Sequence, residues 1–161
     1  MNLIAAVCAN NGIGKDNSLL FRIPEDQKFF HNMTVGKTVI MGRKTYQSLP
    51  DSKALPDRTN IVFSTRSDFK PSDCLVCQNL DVLHYMIASE QSDNIFVIGG
   101  AEIYNLLLPE CSKAFITQIN ASPDCDSFFP ELNSYEWHLI ASSLPQMYNN
   151  LEYKFSIYER I

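Results

Sequence analysis

Long hydrophobic runs are missing from this chain. No stretch approaches the length of a bilayer span, which excludes a membrane-crossing helix. The opening residues, Met1-Asn2-Leu3-Ile4-Ala5-Ala6-Val7, carry no basic segment, and their apolar run is too short for a secretory core. No targeting signal and a cytoplasmic location are therefore expected. Positive charge is also short: 13 Lys and Arg stand against 18 Asp and Glu, for a net charge of -5 and a pI near 5.1. Proteins that bind nucleic acid by counterion release carry the opposite balance. No nucleic-acid partner is expected, and any anion site must be a local cluster of basic groups and backbone N–H donors.

Cysteine is present without a pattern. The five, Cys8, Cys74, Cys77, Cys111 and Cys125, are odd in number and irregularly spaced, which does not suggest a disulfide framework. Cys74-Leu75-Val76-Cys77 has CxxC spacing, but no second pair or nearby His pair accompanies it. It lies in an apolar segment of strand character, where positions i and i+3 point to opposite faces, so a packing role is expected. The chain lacks repeats, low-complexity tracts and linkers, and it contains no GxGxxG, the usual dinucleotide fingerprint.

What the chain does have is ordinary globular composition, 45% hydrophobic and 19% charged over 161 residues. That length suits one domain spanning 1–161, able to bury roughly 70% of its unfolded surface. Strand and helix signals alternate along most of it. Leu3 to Cys8 is an apolar run of strand length, and Asn10 to Arg22 reads as a loop. Pro24 to Thr34 reads as a helix with Pro at its first position and Glu25 and Asp26 in the first turn. Lys37 to Met41 is a short β-branched strand, Arg43 to Leu49 a short helix, and Asn60 to Ser64 and Cys74 to Cys77 further strands. Asp81 to Ser89 reads as a helix, Asn94 to Ile98 as a strand buried on both faces, Ala101 to Leu108 as a helix stopped by Pro109, and Ala114 to Ile119 as a strand. From Trp137 to Ile161, two strand-like runs broken by Pro145 and Asn149-Asn150 suggest a closing hairpin. This order predicts an α/β three-layer sandwich, a mostly parallel central sheet with helices on both faces and an antiparallel C-terminal edge strand. Such sheets bind ligands beyond the carboxyl ends of their strands. The loop after the first strand, the helix at Pro24 and the turn at Gly99-Gly100 should converge there.

Three segments carry chemistry. Ile95-Phe96-Val97-Ile98-Gly99-Gly100-Ala101 runs a buried strand through two glycines into a helix. The glycines permit close backbone approach to a ligand, and the helix start favours a phosphate; a tight turn with no ligand explains them as well. Met41-Gly42-Arg43-Lys44-Thr45 repeats the arrangement, with two basic residues at a helix start that opposes them unless an anion is held between. A solvated surface pair is the alternative. In Ile23-Pro24-Glu25-Asp26-Gln27-Lys28-Phe29-Phe30, Phe30 lies four residues after Asp26 and shares its face. If that face lines a cleft, Asp26 is a buried acid beside aromatic surface, with a raised pKa.

Taken in order, Leu3-Ile4-Ala5-Ala6-Val7, Gly12-Ile13-Gly14, Ile23-Pro24-Glu25-Asp26, Val39 to Thr45, Leu55 to Ile61, Val97 to Tyr104, Leu107-Leu108-Pro109 and Asp126 to Pro130 resemble the bacterial chromosomal dihydrofolate reductases across the whole chain. The resemblance implies an eight-stranded central sheet and a monomeric, cytoplasmic, NADPH-dependent enzyme. Such an enzyme reduces dihydrofolate to tetrahydrofolate for one-carbon metabolism and thymidylate synthesis, needs no metal, and is a target of antifolates. Asp26 matches the acid that holds the pterin's amidine edge and supports protonation of N5, and Thr117 matches the threonine bonded to both. Ile4, Ala6, Gln27, Phe30, Leu49, Leu55 and Ile98 match positions around the pterin and benzoyl groups. Arg58 matches the arginine that grips the α-carboxylate, a task suited to a planar guanidinium.

On the cofactor side the resemblance implies Ala6, Ile13, Gly14, Asn17 and Leu19 near the nicotinamide and its mobile loop, with Asp126 as that loop's partner. It also implies Gly42, Arg43, Lys44 and Thr45 beside the phosphates, and Arg43 with Ser64, Thr65 and Arg66 around the 2′-phosphate. Ile98, Gly99, Gly100, Ala101, Glu102, Ile103 and Tyr104 belong to the turn and helix beside the nicotinamide and pyrophosphate, with Gly99-Gly100 a cis peptide. The chain departs from the pattern at three places. Leu19-Leu20-Phe21 replaces Leu-Pro-Trp, so Phe21 sits at a catalytic position without an N–H. Gln27 replaces a frequent leucine, and Glu102 stands where some members carry a basic residue. These bear on rate, antifolate affinity and cofactor contacts, not on the reaction class. The competing readings are a riboflavin-pathway pyrimidine reductase, a catalytically silent NADPH- or folate-binding module, and a thiol oxidoreductase built on Cys74 and Cys77.

Overall fold

The computed structural model describes residues 1–161. In chain order the strands and helices are β1 (Asn2–Cys8), β2 (Gly12–Lys15), β3 (Ser18–Leu19), α1 (Pro24–Thr34), β4 (Thr38–Gly42), α2 (Arg43–Ser48), β5 (Thr59–Phe63), β6 (Leu75–Cys77), α3 (Leu80–Ile87), β7 (Ile95–Gly99), α4 (Ala101–Leu107), β8 (Lys113–Ile119), β9 (Ser127–Phe128), β10 (Trp137–Ser142), β11 (Gln146–Tyr148) and β12 (Leu151–Arg160). The central sheet runs β10-β12-β8-β1-β7-β4-β5-β6, with the short β11 also paired to β12. From β8 to β6 every pairing is parallel. The C-terminal strands supply the antiparallel end, where β12 lies between β8 and β10.

The parallel strands are rich in β-branched residues and buried on both faces, so alternate side chains enter two different cores. Leu3, Val7, Ile40, Ile61 and Val97 join Leu83 of α3 and Ile103, Tyr104 and Leu107 of α4 in the larger cluster. Their neighbours Ile4, Val39, Met41, Val62 and Phe96 join Tyr46 of α2 on the other face, where Phe29, Phe30 and Met33 of α1 pack against them. This alternation makes the three layers. It also decides the CxxC segment: Cys77 is buried in the first core and Cys74 packs against the second, both as free thiols.

The stretch from Asn10 to Arg22, expected as a loop, contains β2 and β3, which form a small second sheet with β9. The cause is Asp16-Asn17, whose φ values of 50 and 59° place both residues in the left-handed region. A two-residue turn of that kind matches the twist of a hairpin, and Asp and Asn tolerate it best after glycine. Asn149-Asn150, with φ values of 47 and 62°, closes the β11–β12 hairpin in the same way. Helix α3 begins one residue earlier than the periodicity suggests because the Asn79 side chain caps it, accepting from Val82 N at 2.9 Å. The last turn before Pro109 tightens into a 3₁₀ turn, Leu108–Glu110.

Leu83 is fully buried in the larger core, on α3, which carries none of the candidate site residues. Leu83→Ala is expected to cost about 2–5 kcal/mol of stability, read as a lower urea midpoint with an unchanged slope. A midpoint within error of the parent would mean that the α3 face is not part of the cooperative core.

Candidate active site

The carboxyl ends of β1, β4, β5 and β7 lead into the active-site loop, α2, the Ser64–Arg66 turn and α4, so these elements face one crevice. Helix α1 crosses its mouth. Pro24 at the first helical position sets the entry, and the first-turn acid Asp26 points back at β8. Thr117 Oγ1 donates to Asp26 Oδ1 at 2.6 Å, across a sequence separation of 91 residues. Asp26 is half-buried rather than fully enclosed. Burial pushes its carboxyl above the ordinary aspartate value, and the Thr117 hydrogen bond, which favours the ionised form, opposes that shift. Deeper in, the fully enclosed Tyr104 hydroxyl donates to Ile4 O at 2.8 Å, and burial and the nearby Asp26 push its phenol far up.

Ile4, Phe30, Leu49, Leu55 and Ile98 come together in or against one apolar cluster. Ala6 lies in the adjoining cluster, with Phe21 and Ile23. The Phe21 ring is half-buried there and also borders a small pocket with Ala6, Ile13 and Leu19; it offers apolar surface and no donor. Gln27, next to Asp26 on α1, is exposed. Arg58 lies 6.0 Å over the Phe30 ring. Its Nε donates to Pro56 O at 2.8 Å and its Nη1 to Thr34 Oγ1 at 3.1 Å.

Two residues that sequence reasoning left without a role hold this arginine in place. Asn60 is buried, and its side chain accepts from Leu55 N and donates to Leu55 O and Arg58 O, all at 2.9–3.1 Å. Thr34, also buried, accepts from Arg58 while donating to Phe30 O. The signal for Asn60 was present: an amide three residues after Pro56-Asp57, at the first buried position of a strand, has backbone groups of that turn within reach.

On the other side of the crevice, α2 and α4 begin beside one another, and neither has a side-chain cap. Glycine makes this approach possible. A Cβ on Gly42 would lie 3.1 Å from Ile103 and one on Gly100 3.4 Å from Thr45 Oγ1, while Gly99, at φ 112°, would press on the Tyr104 ring at 3.0 Å. The Gly99–Gly100 peptide is cis. A close-packed backbone cradle with free N–H donors suits a pyrophosphate, so the residues present fit a dinucleotide. Farther out, Arg43 Nη1 donates to Gln47, whereas Arg66 makes a two-point pair with Asp68 at 2.9 and 2.6 Å. Arg43 is close enough to lower the Asp68 carboxyl as well. Ser64 Oγ accepts from Arg66 N, and Thr65 is exposed beside it. Lys44 and Glu102 are exposed at the two helix starts.

The small sheet borders the crevice at Ile13 and Leu19. Asp16 N donates to Asp126 Oδ2 at 2.9 Å, Asp126 N donates to Gly14 O at 3.1 Å, and Lys15 pairs with Asp124. Asn17 reaches across to Lys44 O at 3.0 Å, while Leu19 is exposed at the rim. A separate wide cleft lies on the opposite face of β8 and β12, beside Gln118, Phe129, Pro130 and Lys154; none of the site residues above borders it.

The dihydrofolate reductase family model matches residues 1–160. The dihydrofolate reductase of Staphylococcus haemolyticus is 34% identical, the alignment covering all of this chain and 96% of its own. That of Bacillus subtilis is 36% identical, over 99% of this chain and 94% of its own. The solved dihydrofolate reductase of Enterococcus faecalis, complexed with NADP(H) and RAB-propyl, superposes with a TM-score of 0.88 at 27% identity, over 99% of this chain and 95% of that one.

Because the folded protein favours the neutral form of Asp26, the stability this group contributes is full below the ordinary aspartate range. It is lost as pH rises through the elevated folded value. Asp26→Asn, which carries no charge, is therefore expected to melt higher than the parent at pH 7 and to lose that advantage in acid. A variant less stable than the parent at pH 7 would mean that the crevice favours the carboxylate.

Proposed function

The chain belongs to the dihydrofolate reductase family and reduces dihydrofolate with NADPH, and from that premise we propose how residues 1–161, acting as one monomeric domain in the cytoplasm, divide the work. Asp26 holds the amidine edge of the pterin, with Thr117 fixing the carboxyl's orientation; the observation that carries this role is their 2.6 Å hydrogen bond at the crevice mouth. Ile4, Ala6, Phe30, Leu49, Leu55 and Ile98 supply the apolar walls, and Gln27 lies at the rim. Arg58, its guanidinium held by Thr34 and Pro56 O and its backbone by Asn60, takes the α-carboxylate.

NADPH, when bound, supplies the hydride. The glycine cradle of Gly42, Gly99 and Gly100, with the helix starts at Arg43-Lys44-Thr45 and Ala101-Glu102-Ile103, holds its phosphates, and Tyr104 and Ile98 back the nicotinamide side. Arg43, with Ser64, Thr65 and Arg66, takes the 2′-phosphate. Arg43 is the better placed of the two arginines, because its present partner is a neutral amide whereas Arg66 is already neutralised by Asp68. Ile13, Gly14, Asn17 and Leu19 close over the ring and exclude water, steadied by Asp126.

Positioning of the two reacting rings supplies much of the rate. Asp26 steers the pterin electrostatically while the proton for N5 comes from solvent, since Phe21 has no group with which to hold a water. The catalytic duties thus fall on Asp26 and Thr117, with Phe21 contributing shape. An acidic surface supports the absence of a nucleic-acid partner, and no helix is long and apolar enough to cross a membrane. The substrate crevice is the site at which antifolates would compete.

The deciding assay is NADPH oxidation with and without dihydrofolate. Asp26→Asn is expected to lose on the order of 100-fold or more of turnover near neutral pH while binding NADPH as before; equal loss of both would remove Asp26 from the substrate side. Arg43→Ala is expected to weaken NADPH about 10- to 100-fold, the worth of one charge-assisted contact, with NADH little affected. An equal effect on both nucleotides would reassign the 2′-phosphate.

A further inference from the structure

Asp73 is exposed, on the connection between β5 and β6, and no motif marks it. Yet each of its carboxylate oxygens accepts a hydrogen bond from another element. Oδ1 accepts from the Tyr46 hydroxyl at 2.7 Å and Oδ2 accepts from Ala54 N at 2.7 Å. Those two bonds hold the carboxyl below the ordinary aspartate value, the Ala54 contribution being the larger. The Tyr46 phenol is pushed up to about 12, chiefly by its bond to Asp73. Acceptor and donor therefore keep their states throughout the neutral range.

What the carboxylate joins is specific. Tyr46 is buried in α2, three residues before Leu49, and Ala54 directly precedes Leu55. Leu49 and Leu55 both pack against the cluster that Phe30 closes from α1. The turn between them is self-contained: Ser52 N donates to Leu49 O, Ser52 Oγ to Gln47 O and Lys53 N to Pro50 O, with Asp51 and Ser52 both at positive φ. None of these bonds fixes the turn to the rest of the fold. Asp73 does so at Ala54, and Asn60 at Leu55.

We infer that Asp73 is a positioning residue for substrate specificity, a carboxylate clamp that sets the distance between the Leu49 and Leu55 walls and so the fit of the benzoyl part of dihydrofolate. The inference rests on the dihydrofolate reading above. The two bonds of Asp73 go to Tyr46 and Ala54, beside the Leu49 and Leu55 walls, and none of the cofactor residues 42–45, 64–66 and 99–104 bonds to it, so the effect is expected on the substrate half of the crevice.

The test is a two-residue cycle of Asp73→Ala, Tyr46→Phe and the double variant. For each, KM and kcat with dihydrofolate and the Kd values of dihydrofolate and NADPH by calorimetry are measured well below the melting temperature. Asp73→Ala is expected to raise KM and Kd for dihydrofolate about tenfold, the loss of roughly 1.4 kcal/mol, with kcat and NADPH Kd within about twofold. Tyr46→Phe should shift dihydrofolate in the same direction by less, and the double variant should be no worse than Asp73→Ala. Unchanged dihydrofolate affinity in Asp73→Ala, a parallel loss of NADPH, or additive effects in the double variant would each overturn the clamp. Failure of the unsubstituted protein to bind dihydrofolate would overturn the reading beneath it instead.

Discussion

The hydrogen bond from Thr117 to Asp26 spans 2.6 Å and joins the helix that carries the acid to the strand that forms the crevice floor. It couples the chemistry to the topology. Thr117 sits in β8, between β1 and β12, opposite Ala6 on one side and Phe155 on the other. Phe155 packs against Phe29 of α1 at 4.7 Å, so the strand pair that orients the acid through Thr117 also seats its helix through Phe155. An acid at a helix start has little reason to resist ionisation. This one does because α1 lies flat against the sheet and takes Asp26 out of water, leaving it one strong donor rather than several. A group so balanced can exchange hydrogen bonds with a ligand amidine at small reorganisation cost.

The other half of the crevice depends on glycine. Two short helices begin side by side, and a Cβ on Gly42 would crowd Ile103 at 3.1 Å, whereas one on Gly100 would stand 3.4 Å from Thr45 Oγ1. The cradle proposed for the pyrophosphate offers backbone, and the selectivity proposed for it lies outside, at Arg43 and Arg66 beyond the ends of β4 and β5. Here the chain has its own arrangement. Asp68 pairs with Arg66, whereas Arg43 is bonded to the neutral Gln47 amide, so an anion at this position must outcompete a carboxylate at Arg66 but only an amide at Arg43.

Much of this was legible in the sequence because it is periodic or punctuated. The doubly buried strands announced themselves as continuous apolar runs, α1 by its Pro24 and first-turn acids, and the closing hairpin by Asn149-Asn150. The Asp16-Asn17 hairpin was missed because its strands are short and exposed, so no hydrophobic alternation marked them, and the turn pair alone had to carry the signal. At the site, Arg58 came from the family resemblance, while the acid Asp26 and the glycine pair Gly99-Gly100, proposed to meet ligands through their own residue type, stood out. Those that act through another residue did not. Asn60, Thr34 and Asp73 are ordinary polar residues whose meaning lies in contacts 5 to 27 positions away, and no local pattern encodes that. Nor could composition tell how deep Asp26 sits, since its burial comes from β8 and β12, which lie at the other end of the chain.

The account stands on Asp26 being an acid held towards its neutral form and restrained by one donor. Carbon-13 NMR of the aspartate side chains, assigned by comparison with Asp26→Asn, would follow its titration in the ligand-free protein and in Thr117→Val. The expected midpoint lies above that of an ordinary aspartate and rises further when the threonine hydroxyl is removed. A midpoint at or below the ordinary value, or one that falls in Thr117→Val, would contradict it.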